Sequence, residues 1–305
     1  MVGYLFAGQG SQYIGMGKDL YDAFPESKAI FDKADKALGF SLSGLCFQGP
    51  QEELKKTNNS QPAILTVSIA ALEAFERAVK PQGDKAASFT AGLSLGEYSA
   101  LVAAKAISFT DAVYLVRRRG ELMEEEASKR PGKMLSIIGL DLAAVKDICA
   151  AVKVEIANIN CPGQIVISGG AKEIELARGL AQERQVKMAV VLEVSGAFHS
   201  SFMKEASVKF TREIDKIKIN KPKIPVVSNV SAKPVVSPEE IKDSLIKQIF
   251  SPVLWEDSMK FILSQGVRNF IEFGPGKVLK GLMRRIDSDA QVVSLEKKED
   301  ILFLV

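Results

Sequence analysis

The stretch ASFTAGLSLGEYSALVAAKA, residues 87–106, decides how the rest of the chain is read. Its opening, ASFTAGL, suits a strand, and LGEYSALVAAKA from Leu95 suits a helix. Between them lies Gly92-Leu93-Ser94-Leu95-Gly96, a Gly-x-Ser-x-Gly pattern in the strand, sharp turn and helix context that a nucleophile elbow requires. Glycines two before and two after Ser94 remove side chains that would crowd a strained turn. Such a turn lifts the serine hydroxyl out of the sheet and aims the N–H of Leu95 where an oxyanion would form. One donor of that kind contributes about 3–4 kcal/mol to transition-state stabilisation. The pattern also arises by chance, as a small-residue turn that happens to hold a serine. The strand-helix context raises the elbow reading until the two stand level.

Outward from this turn, strand and helix alternate. Residues 3–9 (GYLFAGQ) read as a buried strand ending in a Gly-Gln loop, and 25–38 as a helix. Residues 60–79 read as a long, mostly apolar helix with Ser60 as N-cap and Pro62 in its first turn. Strand 87–92 is followed by helices at 95–104 and 109–127. This alternation predicts an α/β fold with a parallel sheet. The middle differs: strand 133–140, helix 142–152, strands 154–159 and 164–169 joined by a Pro-Gly turn, helix 171–185 and strand 187–194. The order βαββαβ is the split, ferredoxin-like arrangement. A small subdomain over 128–195 is therefore expected, inserted in a larger core of 1–127 and 196–305. That core resumes with a strand near 224–229, helices near 238–248 and 255–265, a strand at 268–273 and a helix from 276.

A serine nucleophile needs a base, and histidine has a pKa near working pH. The chain holds one histidine, His199, just past the predicted strand 187–194, where catalytic residues of α/β folds collect. Ser200 or Ser201 can cap the helix after it. A lone histidine is by default a packed or surface residue, but an active Ser94 has no other imidazole to use. No acidic third member stands out by motif. Arg119 is the other candidate. At about 100° per residue, Ala112, Leu115, Val116, Leu122 and Met123 share one helix face, and Arg119 falls in its middle. Arg117 and Arg118 fall with Asp111, Glu121, Glu124 and Glu125 and read as a solvated basic face. A buried guanidinium needs an anion. The sequence alone favours a structural carboxylate over a ligand carboxylate gripped by the bidentate fork.

Composition narrows the class. The chain has 305 residues, 47% hydrophobic and 25% charged, which suits a soluble globular protein of one large domain, or of one domain carrying a smaller insert. Apolar runs are short and broken, so no membrane span is expected, and the N-terminus lacks the basic region of a signal peptide. Three cysteines without a CxxC pair argue against a disulfide framework and for a reducing cytoplasm. One histidine rules out a His-rich zinc site, and no metal is expected. A net charge of +3 is too weak to indicate nucleic acid.

Taken together these residues resemble the malonyl-CoA:acyl carrier protein transacylase family of bacterial type II fatty acid synthesis. The landmarks run the length of the chain: FAGQGSQ (6–12), TNNSQPAI (57–64), GLSLGEYSAL (92–101), RRGELM (118–123), NINCPGQ (158–164), VSGAFHSSFM (194–203), QIFSPVLW (248–255) and FGPGKVLKGL (273–282). The resemblance implies a ping-pong acyl transfer. Malonyl-CoA would acylate Ser94, and the phosphopantetheine thiol of holo acyl carrier protein would collect the malonyl group. His199 would be the base, oriented by the backbone carbonyl at Gln248 in place of a triad acid. The N–H groups of Gln9 and Leu95 would hold the oxyanion. Arg119 would grip the malonyl carboxylate, which overturns the preference for a structural partner. Asn160 would lie near the substrate. The implied fold is an α/β-hydrolase-like core with a ferredoxin-like subdomain, and a monomer needing no cofactor beyond its two substrates is expected.

One departure is Leu93, where the family usually has histidine, and any polar role of that residue in the acyl pocket is lost. GAFH at 196–199 resembles the malonyl-selective pattern. The rival readings are a discrete acyltransferase serving a polyketide synthase, a serine thioesterase or other hydrolase, and a non-catalytic carrier-binding module. A carboxylate clamp argues against the hydrolase, and intact Ser94, His199 and Arg119 argue against the module. GPGK at 274–277 lacks P-loop spacing and reads as a structural turn. Arg284 and Arg285 read as a solvated helix end, with an acidic carrier or CoA phosphates as the alternative. Cys161 has no adjacent base and is expected to be inert.

Overall fold

The strand-turn-helix around Ser94 forms as Ala87–Gly92, a two-step turn and Gly96–Ala103. Both glycines are needed because neighbouring backbone leaves no room for a Cβ. In the computed structural model, which describes residues 1–80 and 86–304, a Cβ on Gly92 would lie 1.9 Å from the Gly96 carbonyl carbon. One on Gly96 would lie 2.2 Å from the Phe6 carbonyl oxygen. Ser94 itself takes a φ of 52°, a left-handed conformation that non-glycine residues hold only when their surroundings enforce it.

The fold is mixed α/β with two mixed sheets. The strands are β1 (Val2–Phe6), β2 (Ala87–Gly92), β3 (Gly132–Ile138), β4 (Glu155–Cys161), β5 (Gln164–Gly170), β6 (Met188–Val191), β7 (Val226–Val227), β8 (Pro234–Val235), β9 (Val253–Leu254), β10 (Asn269–Phe273) and β11 (Gln291–Leu295). The larger sheet runs β11-β10-β1-β2-β7-β8, parallel throughout except for the β7–β8 pair. Its central strands are buried, as parallel strands covered on both faces must be: Leu5, Phe6 and Ala91 are all inaccessible. The helix Thr57–Val79 is buried along most of its length and packs against the helix Phe109–Lys129.

The smaller sheet runs β6-β3-β5-β4-β9. Its first four strands, with helices Leu142–Val152 and Ala171–Glu183, follow the expected βαββαβ order and pair antiparallel. The fifth strand was not expected. Val253 and Leu254 pair parallel to Asn158 and Ile159, so the QIFSPVLW segment of the later chain joins the smaller sheet.

Several boundaries differ from expectation. The long helix starts at Thr57, because the Lys56 carbonyl already accepts from Asn59 and Ser60 N–H. Ser60 is therefore inside the helix, not its cap, and Pro62 sits beyond the first turn. A proline there removes the N–H that would bond the Asn58 carbonyl. Arg117 Nη1 donates to that carbonyl instead, at 3.0 Å, and also to Asn59 Oδ1. Arg117 is thus a half-buried strut and not a solvated charge, and Arg118 pairs with Glu121 and Glu213. The strand expected at 224–229 shrinks to Val226–Val227, and that at 187–194 to Met188–Val191. Ser200, not Ser201, caps the turn that follows: its Oγ accepts from Phe202 N–H.

Candidate active site

Three adjacent parallel strands, β1, β2 and β7, end on the same side of the larger sheet. Gln9, Ser94 and Asn229 lie two or three residues beyond their carboxyl ends. That is where an open α/β sheet leaves backbone free to meet a ligand. His199 comes from the loop after β6, itself at a φ of 57°. The loop is pinned from the smaller sheet, since the Glu155 carboxylate on β4 accepts from Ser201 N–H at 3.1 and 3.0 Å.

Ser94 Oγ and His199 Nε2 are 2.8 Å apart. His199 Nδ1 donates to the Gln248 backbone carbonyl at 2.8 Å. That bond places the ring proton on Nδ1 and leaves Nε2 as the acceptor for the serine proton. Burial, then the charge of Arg119, push His199 down to about 4, against the opposing carbonyls of Gln248 and Ser251. A neutral imidazole is therefore ready to take a proton over the whole physiological range.

Arg119 is 1% exposed, as its place on the apolar face requires. Its Nη2 donates to Ser94 Oγ at 3.0 Å and to Gln248 Oε1 at 3.1 Å, and its Nη1 to Gln61 Oε1 at 2.8 Å. Tyr98 lies beneath it, with the ring centre 5.7 Å from the guanidinium carbon. Among the described residues no carboxylate forms an ion pair with it, and its Nε has no partner. The structural carboxylate that the sequence alone favoured is absent from its contacts, because the partners are the neutral amides of Gln61 and Gln248. Burial pulls the Arg119 pKa down, yet guanidinium stays charged in proteins.

The N–H groups of Gln9 and Leu95 have no hydrogen-bond partner among the described residues. The Gln9 side chain reaches Thr57 Oγ1 at 3.4 Å. Leu93 packs its side chain and carbonyl against Gly8, so it covers the loop that carries Gln9. Asn160 is not joined to this group by a hydrogen bond. It is buried on β4 with its Oδ1 unpartnered among the described residues.

Residues that sequence reasoning passed over complete the site. Gln61, Glu97 and Asn229 are all buried. Asn229 Oδ1 accepts from Ser94 N–H at 2.6 Å, and its Nδ2 donates to the Gly92 carbonyl at 2.8 Å. Glu97 Oε2 accepts from Asn229 N–H at 3.1 Å and Gln248 Nε2 at 2.6 Å. Burial pushes the Glu97 carboxyl up to about 7 despite these bonds and Arg119. Gln61 and Glu97 stood within recognised landmarks, but nothing local marked them as part of a site.

Of three side expectations, one needs correcting. Arg285 is not a free helix-end charge: it donates to Gln164 Oε1 at 2.8 Å and the Pro162 carbonyl at 3.1 Å, tying the β4–β5 turn to the helix Val278–Ile286. GPGK is a structural turn, with Gly274 and Gly276 at positive φ and the Glu272 carboxylate accepting from Leu279 and Lys280 N–H. Burial pushes the Cys161 thiol up, in keeping with an inert residue.

A serine on a strained elbow, bonded at once to an imidazole and a buried arginine, is equipped for acyl transfer. The chain matches the acyl transferase domain family over residues 3–299 and belongs to it. It is 49% identical over 306 residues to the malonyl CoA-acyl carrier protein transacylase of Bacillus subtilis (strain 168), covering 98% of this chain and 95% of that one. The acyl-carrier-protein-S-malonyltransferase of Bartonella henselae superposes with a TM-score of 0.95 at 40% identity, covering 99% of this chain and 97% of that one. A malonyl-transacylase solved in complex with its type II PKS acyl-carrier protein superposes with a TM-score of 0.94 at 39% identity, covering 99% and 98%.

Proposed function

We propose that this protein transfers the malonyl group from malonyl-CoA to the phosphopantetheine thiol of acyl carrier protein, supplying fatty acid synthesis. The observation that carries the reading is the triple contact at Ser94: its hydroxyl meets His199 Nε2 at 2.8 Å and Arg119 Nη2 at 3.0 Å, and that arginine has no carboxylate partner among the described residues. A hydrolase acting on neutral esters has no use for an unpaired buried guanidinium, whereas a malonyl carboxylate fits its fork.

The reaction runs in two halves. Ser94 Oγ attacks the thioester carbonyl while its proton passes to His199 Nε2. The tetrahedral oxyanion is held by the N–H groups of Leu95 and Gln9. The C–S bond breaks, and His199 returns the proton to the CoA sulfur. The pantetheine thiol then gives its proton to His199 and attacks the malonyl ester. Ser94 leaves and takes the proton back. Throughout, the Gln248 carbonyl keeps the imidazole oriented, as the carboxylate of a Ser-His-Asp triad would. Arg119 binds the malonyl carboxylate, and Asn160, whose Oδ1 has no partner among the described residues, is the further residue that contacts substrate.

In the same reading the core is α/β-hydrolase-like, spanning 1–127 and 196–305, and the ferredoxin-like subdomain spans 128–195; residues 81–85 and 305 fall outside the described residues. The strand order β6-β3-β5-β4 supports the second description. The enzyme works as a cytoplasmic monomer without metal or cofactor. Among the described residues no helix is long and apolar enough to cross a membrane.

The test is intact mass after mixing with malonyl-CoA, then with holo acyl carrier protein. A malonyl adduct on Ser94 that moves to the carrier, and that Ser94→Ala fails to form, is expected. An adduct lost to water regardless of carrier would make the protein a hydrolase.

A further inference from the structure

Glu97 is an ionisable group beside Ser94 that the reaction above does not use. It lies in the first turn of the helix Gly96–Ala103 and is 1% exposed. A carboxyl group in such a place costs free energy unless its oxygens are bonded. Oε2 accepts from Asn229 N–H and from Gln248 Nε2, and the Ser244 hydroxyl also bonds the carboxyl.

Each donor residue has a second hold on the reacting groups. Asn229 grips the elbow on both sides of the nucleophile, through Ser94 N–H at 2.6 Å and the Gly92 carbonyl at 2.8 Å. Gln248 Nε2 donates to the Ser94 carbonyl at 3.0 Å, Gln248 Oε1 accepts from Arg119, and the Gln248 backbone carbonyl accepts from His199. One carboxyl oxygen thus ties together the supports of the nucleophile, the base and the arginine. Ser94 and His199 both sit at positive φ, where non-glycine residues stay only under such constraint.

We propose that Glu97 is a positioning residue: through Oε2 it holds Asn229 and Gln248 in the places that set the Ser94–His199 attack geometry, without touching substrate. The proposal rests on the reading of Ser94 as the nucleophile. It requires an acceptor at that point, not a charge. Glutamine can supply one acceptor oxygen at the same reach, aspartate falls one methylene short, and methionine fills the volume with no oxygen.

The experiment is rapid-quench mass spectrometry of malonyl-enzyme formation, with steady-state kcat and KM and circular dichroism for Glu97→Met, Glu97→Asp and Glu97→Gln. Met and Asp should slow single-turnover malonylation and kcat about 10- to 100-fold, the loss expected for buried donors left unpaired, with KM for malonyl-CoA moving less than about threefold. Gln should recover the rate to within about fivefold of wild type. A folded Met or Asp variant with wild-type malonylation, a loss confined to KM, or a folded Gln variant as slow as the Met variant would each overturn the proposal. Should Met and Asp not fold, a folded Gln variant more than fivefold slower than wild type would by itself overturn the proposal. Failure of the underlying reading looks different: the wild-type protein itself would show no malonyl adduct on Ser94.

Discussion

Arg119 shows what a single residue discloses and what it conceals. Its burial follows from helical spacing alone, since it falls amid Leu115, Val116, Leu122 and Met123, all buried in the fold. Its partners do not follow. Gln61 is 58 residues away in sequence and Gln248 is 129 away, so no local pattern could pair them. Those partners are neutral amides, and Glu97 acts on the charge only from a distance, so a ligand carboxylate can pair the guanidinium directly. Arg119→Ala is expected to cut kcat/KM for malonyl-CoA about 100-fold or more, the scale of a lost charge-assisted pair, while acetyl-CoA loses little. Competition between the two thioesters for Ser94, read by mass, checks this. An unchanged malonyl preference would make Arg119 structural.

At the scale of elements, the elbow depends on close backbone approach. Gly96 sits where the helix Gly96–Ala103 meets the end of β1, and a methyl there would press on the Phe6 carbonyl oxygen at 2.2 Å. Backbone cannot yield as a flexible side chain can. Gly96→Ala should therefore destabilise the protein by about 3 kcal/mol or more, by overpacking. Gly179, inside the helix Ala171–Glu183, has nothing within 4 Å of its added Cβ. Gly179→Ala should be neutral or stabilise by up to about 1 kcal/mol, through helix propensity. Urea denaturation of the two variants separates them, and equal effects would refute the packing account. Most elements were legible because they carry their own signals. Ser108, Asp141 and Ser237 cap their helices as their side chains allow, and β2 and the helix Pro238–Gln248 fall at the expected bounds. Strands β8 and β9 have two residues each, too few to show alternation, and exist because a neighbouring strand offers them hydrogen bonds, while β7 was expected but keeps only two of its residues.

Across the whole molecule, two buried groups of the site act oppositely on stability. Glu97 is raised to about 7, so the folded state holds its proton longer than the unfolded state, and stability falls as pH rises through about 4.5 to 7. His199 is lowered to about 4, so the unfolded state takes its proton first, and stability falls as pH drops from about 6.5 to 4. Over their shared range the two slopes cancel. Glu97→Gln should unmask the histidine, with stability relative to wild type declining by about 3 kcal/mol on acidification through that range. His199→Asn should unmask the carboxyl and tilt the other way. Thermal denaturation from pH 4.5 to 7 tests this, and parallel profiles for the two variants would refute it.

The sequence by itself determined the alternation of strand and helix, the βαββαβ order of the middle, the strand-turn-helix around Ser94 and the inward aim of Arg119. Each rests on spacing within about twenty residues, where periodicity, caps and turn residues act. The tertiary structure alone decided that Arg119 meets amides and not a carboxylate, that Arg117 repairs the carbonyl freed by Pro62, and that Arg285 ties down the β4–β5 turn. It also brought Glu97 and Asn229 behind Ser94 and His199. A buried polar group must find whatever donor or acceptor the folded chain sets beside it, and that choice is made by topology after the elements exist.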